Sequence, residues 1–232
     1  MGSPEIRVVE SMSAIDSTVW DKLADSPFMT HAFLSVLEAS GSVGPHSGWQ
    51  PLHMVMEKEG QLIAGAPLYL KNHSYGEYIF DWGWAEASQR AGIPYYPKLV
   101  CAVPFTPATG NRLLGSADHQ KMLWQGMKQL SQMVEANSVH ALFVSPSEKA
   151  NLITEGGTHG RTTHQYHWRN RDFKTFEDHL SQFKSRDRKK IKKERQKAAA
   201  AVDDIRHING EDLTQNDIDT LWGFYQDTCS RK

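Results

Sequence analysis

Tyr78-Ile79-Phe80-Asp81-Trp82-Gly83-Trp84-Ala85-Glu86-Ala87 opens the stretch that decides how this chain is read. It continues through Ala91-Gly92-Ile93-Pro94-Tyr95-Tyr96-Pro97-Lys98-Leu99-Val100 to Pro104-Phe105-Thr106-Pro107-Ala108-Thr109-Gly110-Asn111-Arg112. A plain core strand is richer in Val and Ile and poorer in Pro. Aromatic and proline-stiffened loops on a rigid scaffold are where sites tend to be built. The pattern predicts a strand at Tyr78 to Trp82, a short helix at Ala85 to Ala91 and a buried strand at Lys98 to Val103.

Upstream, Leu52 to Lys58 and Leu62 to Leu70 flank a Glu59-Gly60 turn and read as an antiparallel hairpin. Ile6 to Val9 reads as an opening strand. Two helices follow it, one with a Thr18/Asp21 capping box and one beginning near Thr30. Downstream, Asp118 is placed to cap a long helix ending near Asn137, with Leu123, Met127, Leu130 and Val134 as its buried stripe. Val139 to Ser145 reads as a strand, Pro146 starts a short helix, and Thr162 to Trp168 alternates like a strand. Thr175/Asp178 and Thr214/Asp217 cap two further helices, and Val202 to Ile208 is a weak strand. Helices alternating with strands predict an α/β or α+β fold, a mixed, mainly antiparallel sheet flanked by helices.

The composition, 39% hydrophobic and 23% charged over 232 residues, is that of a folded protein with ample core. No run reaches the ~18 apolar residues of a membrane span. The opening residues lack a secretory pattern, and Cys101 and Cys229 form no disulfide framework, so a cytoplasmic location is expected. Net charge is −1, but residues 184–197 alone hold nine Lys/Arg against two Asp/Glu. That basic helical segment reads first as a solvated arm; the alternative is an anionic partner, RNA before membrane, because the helix lacks an apolar face.

No phosphate-binding glycine motif is present. Gln89-Arg90-Ala91-Gly92-Ile93-Pro94 approaches a coenzyme A pyrophosphate loop, but Pro94 has no N–H to offer, so the match is accidental. His164 and His167 lie on opposite faces of the expected strand with no third ligand near, so no metal site is expected and either His serves at most as a base or substrate contact. Asp81 is the candidate base, with Trp82 beside it to desolvate it; a helix cap is the alternative. Glu86 reads as a cap. Lys98 and Arg112 are candidate anion contacts, or else solvated cations.

Several of these runs resemble the FemAB-like group of the GNAT acyltransferase superfamily. They are Y-G-E-Y-I-F-D-W-G-W-A-E-A, Y-Y-P-K-L, P-F-T-P-A-T-G-N-R, H-Q-Y-H-W and S-R-D-R-K-K-I-K-K-E-R-Q, in this order. The resemblance implies tandem GNAT-like domains: a first over residues 1–183, a basic helical segment over 184–202, and at 203–232 the start of a second that continues beyond this chain. It implies transfer of an acyl or aminoacyl group, from acyl-coenzyme A or aminoacyl-transfer RNA as donor substrate, to an amine acceptor in peptidoglycan biosynthesis. No permanently bound cofactor and no DNA partner are expected.

On this reading Asp81 is the base, and Trp82, Tyr95, Tyr96, Lys98, Phe105, Thr106, Arg112, His164 and His167 contact the acceptor. Arg186, Arg188, Lys189, Lys190 and Lys193 touch a phosphate-bearing donor. The alternatives are a non-catalytic RNA- or partner-binding module that uses the basic helix, and an inactive fragment.

Overall fold

The computed structural model describes residues 2–154 and 157–231. The chain forms two compact units, residues 1–164 and 165–232. The first contains two sheets. Strands β1 (Glu5–Val9), β3 (His53–Lys58) and β4 (Gln61–Ala66) form one, in the order β1-β3-β4. Strands β2 (Trp49–Pro51), β5 (Leu68–Lys71), β6 (Lys98–Cys101) and β7 (Val139–Ala141) form the other, in that order. All pairings are antiparallel except β6 with β7. The expected hairpin is present, but its second arm is divided. Leu62 to Ala66 stays with β3, while Leu68 to Lys71 moves into the second sheet.

The parallel pair needs a crossover, and helix α4 (Ala117–Met133) supplies it. Its buried stripe of Leu123, Trp124, Met127 and Leu130 packs on Met54, Met56, Ala64, Ala66, Leu68, Leu99 and Cys101. This core draws on both sheets, so α4 holds them together. Helices α1 (Ser17–Asp21) and α2 (His31–Ala39) cover the first sheet through Trp20, Leu34 and Val55. On the side of the second sheet away from α4, Trp49, Tyr69 and Val100 form a further apolar cluster. Strand alternation fixes this division: Leu68 and Leu99 point to α4, so their neighbours Tyr69 and Lys98 point away.

Several local expectations are corrected. Tyr78 to Trp82 is not a strand, because Tyr78 (φ 58°) and Phe80 (φ 50°) take left-handed backbone that no ladder accommodates. The helix after it, α3 (Trp82–Arg90), starts three residues earlier than expected. Ser116, not Asp118, caps α4, since a cap needs the extended backbone that Ser116 has (ψ 163°) and Asp118 is already helical. Asp16 caps α1, and Asp21 instead accepts the His31 N–H at 2.6 Å. Thr162 to Trp168 and Val202 to Ile208 are extended or irregular and exposed. Neither pairs with another strand among the described residues, and a strand needs a ladder.

In the second unit, α6 (Phe176–Ser181) and α8 (Gln215–Ser230) carry the two expected Thr/Asp capping boxes. Between them runs the basic helix α7 (Ser185–Ala200). No helix among the described residues is long and apolar enough to cross a membrane.

Candidate functional site

The alternation that turns Lys98 away from α4 does the same to Lys71. The two residues face each other directly across β5 and β6, and Trp49 on β2 completes the row. Both lysine side chains are fully buried. Two ammonium groups at opposed sheet positions repel one another, and removing each from water adds to the cost. The loop between β5 and α3 supplies the compensation.

Lys98 Nζ donates to Glu77 Oε2 at 2.8 Å, to Asp81 Oδ2 at 2.6 Å and to Ser74 Oγ at 2.8 Å. All three donor positions of the ammonium are thereby used. Lys71 Nζ donates to the Tyr75 carbonyl at 3.0 Å, lies 3.6 Å from the Trp49 ring centroid, and is 4.0 Å from Glu77 Oε1. Tyr95 Oη donates to Asp81 Oδ2 at 2.7 Å, and the Tyr96 hydroxyl is 2.7 Å from Ser74 Oγ. Glu77 Oε1 and Asp81 Oδ1 are buried and have no hydrogen-bond donor among the described residues.

These contacts tune the ionisable groups. Burial lowers the Lys71 pKa to about 7, with Lys98 adding to the fall and Glu77 opposing it. Burial raises the Glu77 pKa above the ordinary glutamate value, despite both lysines. Burial acts on Asp81 in the same sense, but hydrogen bonds from Lys98, Tyr95 and Ser74 outweigh it and hold that carboxyl below its ordinary range. His140, on β7, falls to about 4 through burial and the nearby Lys98 charge.

Exposed aromatic side chains lie on the loop that carries Glu77 and Asp81 and on the start of α3. Tyr75, Tyr78, Phe80, Trp82 and Trp84 are all more than 40% exposed, and the Tyr75 and Trp82 rings lie 5.1 Å apart. Phe105 stands at the edge, 5.6 Å from the Trp49 ring, and its N–H donates to the Gly76 carbonyl. Buried carboxylates and exposed aromatic faces on one loop suit an ammonium-bearing ligand, which both attract.

Of the residues singled out in the sequence, Asp81, Tyr95, Tyr96 and Lys98 converge in this cluster, with Trp82 and Phe105 at its margin. The anions that Lys98 meets are the protein's own carboxylates. Asp81 occupies the N-cap position of α3 but makes no side-chain cap bond. Glu86 is exposed and 3.6 Å from Arg90, one turn along α3. Thr106 Oγ1 donates to the Pro104 carbonyl.

Arg112 is buried elsewhere, its guanidinium donating to the Ala108 and Asn111 carbonyls and its N–H to Glu148. His164 and His167 are exposed and fall in different units. On α7, Arg188 Nη1 donates to the Phe183 carbonyl, and Lys190 is 3.9 Å from Glu194. Arg186, Lys189 and Lys193 are exposed.

Lys71 and Glu77 were missed. Lys71 closes an ordinary-looking strand, Leu68-Tyr69-Leu70-Lys71, and only its pairing with Lys98 marks it. Glu77 lies one residue before the quoted stretch. The signal available was the density of charge in a segment otherwise aromatic.

A profile of the FemAB-like family, described as peptidoglycan biosynthesis/recognition, matches residues 11–232. The comparison with curated proteins finds no match. Similar solved structures include an apo aminoglycoside antibiotic 6'-N-acetyltransferase from Acinetobacter haemolyticus, at 12% identity and TM-score 0.41, covering 72% of this chain and 99% of that one. They also include glucosamine-6-phosphate N-acetyltransferase from Arabidopsis thaliana, at 10% identity and TM-score 0.40, covering 73% of this chain and 100% of that one.

Proposed function

This chain belongs to the FemAB-like family of peptidoglycan biosynthesis and recognition, and from that premise we propose that it is an acyltransferase. It moves an acyl or aminoacyl group to an amine acceptor in a peptidoglycan-related process. The exposed aromatic surface of residues 75–84 receives the acceptor, and the lysine–carboxylate cluster handles the acceptor's proton. The observation that carries this reading is the pair of unsatisfied carboxylate oxygens, Glu77 Oε1 and Asp81 Oδ1, buried next to a lysine whose pKa is about 7.

The chemistry needs a neutral amine. An acceptor ammonium approaches between the aromatic rings and pairs with the carboxylate oxygens that lack a hydrogen-bond donor. Its proton passes toward Glu77 and the neutral form of Lys71, for which a pKa near the working pH is the effective range. The nitrogen lone pair then attacks the acyl carbonyl. A bond forms between nitrogen and the acyl carbon, the ester or thioester bond to the donor breaks, and the leaving oxygen or sulfur takes up a proton. Asp81, held anionic by Lys98 and Tyr95, serves to bind the cation rather than to remove its proton.

The donor is an acyl-coenzyme A or an aminoacyl-transfer RNA. The test is mass-spectrometric detection of acyl transfer by the protein from each donor to a peptidoglycan-precursor peptide. Transfer that survives Lys71→Met and Trp82→Ala at the wild-type rate removes this site from the reaction.

A second reading, polyanion binding by the other unit, is favoured by how α7 divides its cations. Arg188, Lys192 and Arg195 engage Phe183, Glu177 and Phe176 at the α6 side. At helical spacing Arg186, Lys190, Lys193 and Lys197 fall on the opposite face, with Lys189 at its margin, along about 16 Å of helix at 1.5 Å per residue. RNA binding that weakens steeply with salt, and that neutralising Lys189 and Lys193 abolishes, supports it. Salt-insensitive binding removes it.

A further inference from the structure

We propose that the cavity between α4 and α5 (Pro146–Thr154) binds a neutral, hydroxyl-rich ring of monosaccharide size. The cavity measures about 320 Å³ and lies against the first two turns of α4. That is the low end of small-molecule sites, room for one ring rather than an extended cofactor. It shares no residue with the lysine cluster, and the proposal does not depend on the acyl-transfer reading.

Its lining is apolar at Leu113, Leu152 and Trp124. Trp124 is only 3% exposed, and its Nε1–H is buried with no acceptor among the described residues. A buried N–H left without a partner is costly, and an acceptor oxygen delivered by a ligand repairs it. A purely hydrocarbon ligand would leave it unpaired.

Glu148 also lines the cavity, but both its oxygens are already in use. Oε1 accepts from the Arg112 and Leu113 N–H groups at 3.0 and 2.6 Å, and Oε2 accepts from Arg112 N at 3.0 Å. It fixes the loop ahead of α4 and takes the backbone donors that a bound anion would need. Asp118 and Lys121 line the cavity too, and two carboxylates against one ammonium leave a net negative lining that disfavours phosphate or carboxylate ligands.

The other polar groups match hydroxyls. Gln120 Nε2 donates to the Leu113 and Gly115 carbonyls, which leaves Oε1 as an acceptor. Asp118 and Asn151 are exposed, and their side chains make no hydrogen bond among the described residues. The site therefore offers one buried indole donor, the Lys121 ammonium, two acceptor side chains and an amide that does both. A ring bearing several hydroxyls, each donor and acceptor, satisfies that set, while its C–H face packs on Leu113 and Leu152.

The test uses the full chain, ¹⁵N-labelled, with the Trp124 indole N–H resonance assigned by Trp124→Phe. N-acetylglucosamine and glucose are titrated, with inorganic phosphate and acetyl-coenzyme A as separate arms. The expected result is a saturable shift of the Trp124 resonance by a sugar, weakened about tenfold by Asn151→Ala or Asp118→Asn, as loss of one or two hydrogen bonds gives. Both of these variants alter exposed positions; if Trp124→Phe does not fold, the resonance is assigned by triple-resonance spectra of the wild-type chain and the test stands. An unmoved Trp124 resonance at the solubility limit of both sugars overturns the proposal. So does a sugar affinity unchanged in both variants, or saturation by phosphate or acetyl-coenzyme A that neither sugar competes away.

Discussion

Lys71 and Lys98 are directly opposed in register across the antiparallel β5–β6 pair, both fully buried, with Glu77 placed to reach each. The fold tolerates this because the two side chains differ in surroundings. Lys98 has two carboxylates and a serine hydroxyl around it, whereas Lys71 has a carbonyl, an indole face and a more distant carboxylate oxygen.

That asymmetry gives stability a pH dependence. The Lys71 pKa falls from 10.5 to about 7 on folding. Between those values the unfolded chain holds a proton that the folded chain has shed, so stability rises with pH across that window. Lys71→Met removes this contribution. Urea midpoints measured at several pH values across the window are expected to show a shallower rise for the variant; an unchanged slope would place the Lys71 pKa elsewhere.

Lys98 is the keystone of the cluster. Lys98→Met strands Glu77 and Asp81 without their cation, and breaking a buried pair from one side costs about 3–5 kcal/mol. Adding Glu77→Gln and Asp81→Asn is expected to recover most of that loss, because no uncompensated charge remains. Denaturation of the single and triple variants checks both halves of this argument.

His140 makes the opposite edge of the pH range sensitive. Its pKa is 6.5 unfolded and about 4 folded. As pH falls through that interval the unfolded chain gains a proton that the folded chain refuses, and stability is lost. His140→Gln is expected to flatten the acid limb of a thermal-melting series between those values.

Gly76 ties the loop to the second sheet. It has φ +79°, and an added Cβ would lie 2.6 Å from the Phe105 ring and 3.2 Å from Trp49 Nε1. Gly41 has a similar φ of +72° with nothing within 4 Å. Gly76→Ala is therefore expected to destabilise by more than Gly41→Ala, and by over about 1 kcal/mol. Equal losses in the two melting curves would mean that backbone strain alone sets the cost.

Much of this was legible in the residues. Periodicity located α4, and Thr175/Asp178 and Thr214/Asp217 announced two helix starts, because capping is a local interaction. The quoted stretch did contain Asp81, Tyr95, Tyr96 and Lys98, which the fold gathers. What local pattern does not hold is partnership. Tyr78-Ile79-Phe80 has strand composition, and only the left-handed backbone at Tyr78 and Phe80 shows that it turns. Likewise, the pairing of Lys71 with Lys98 depends on β5 leaving its hairpin partner for the second sheet. Nothing within either strand encodes that exchange.

The most direct test of the central claim is the pH–rate profile of acyl transfer to a peptide amine, for the wild-type protein and Lys71→Met. The account predicts a rate that rises through a pKa of about 7, and at least a hundredfold loss, with that limb absent, in the variant. A variant with the wild-type rate and the same profile would contradict it.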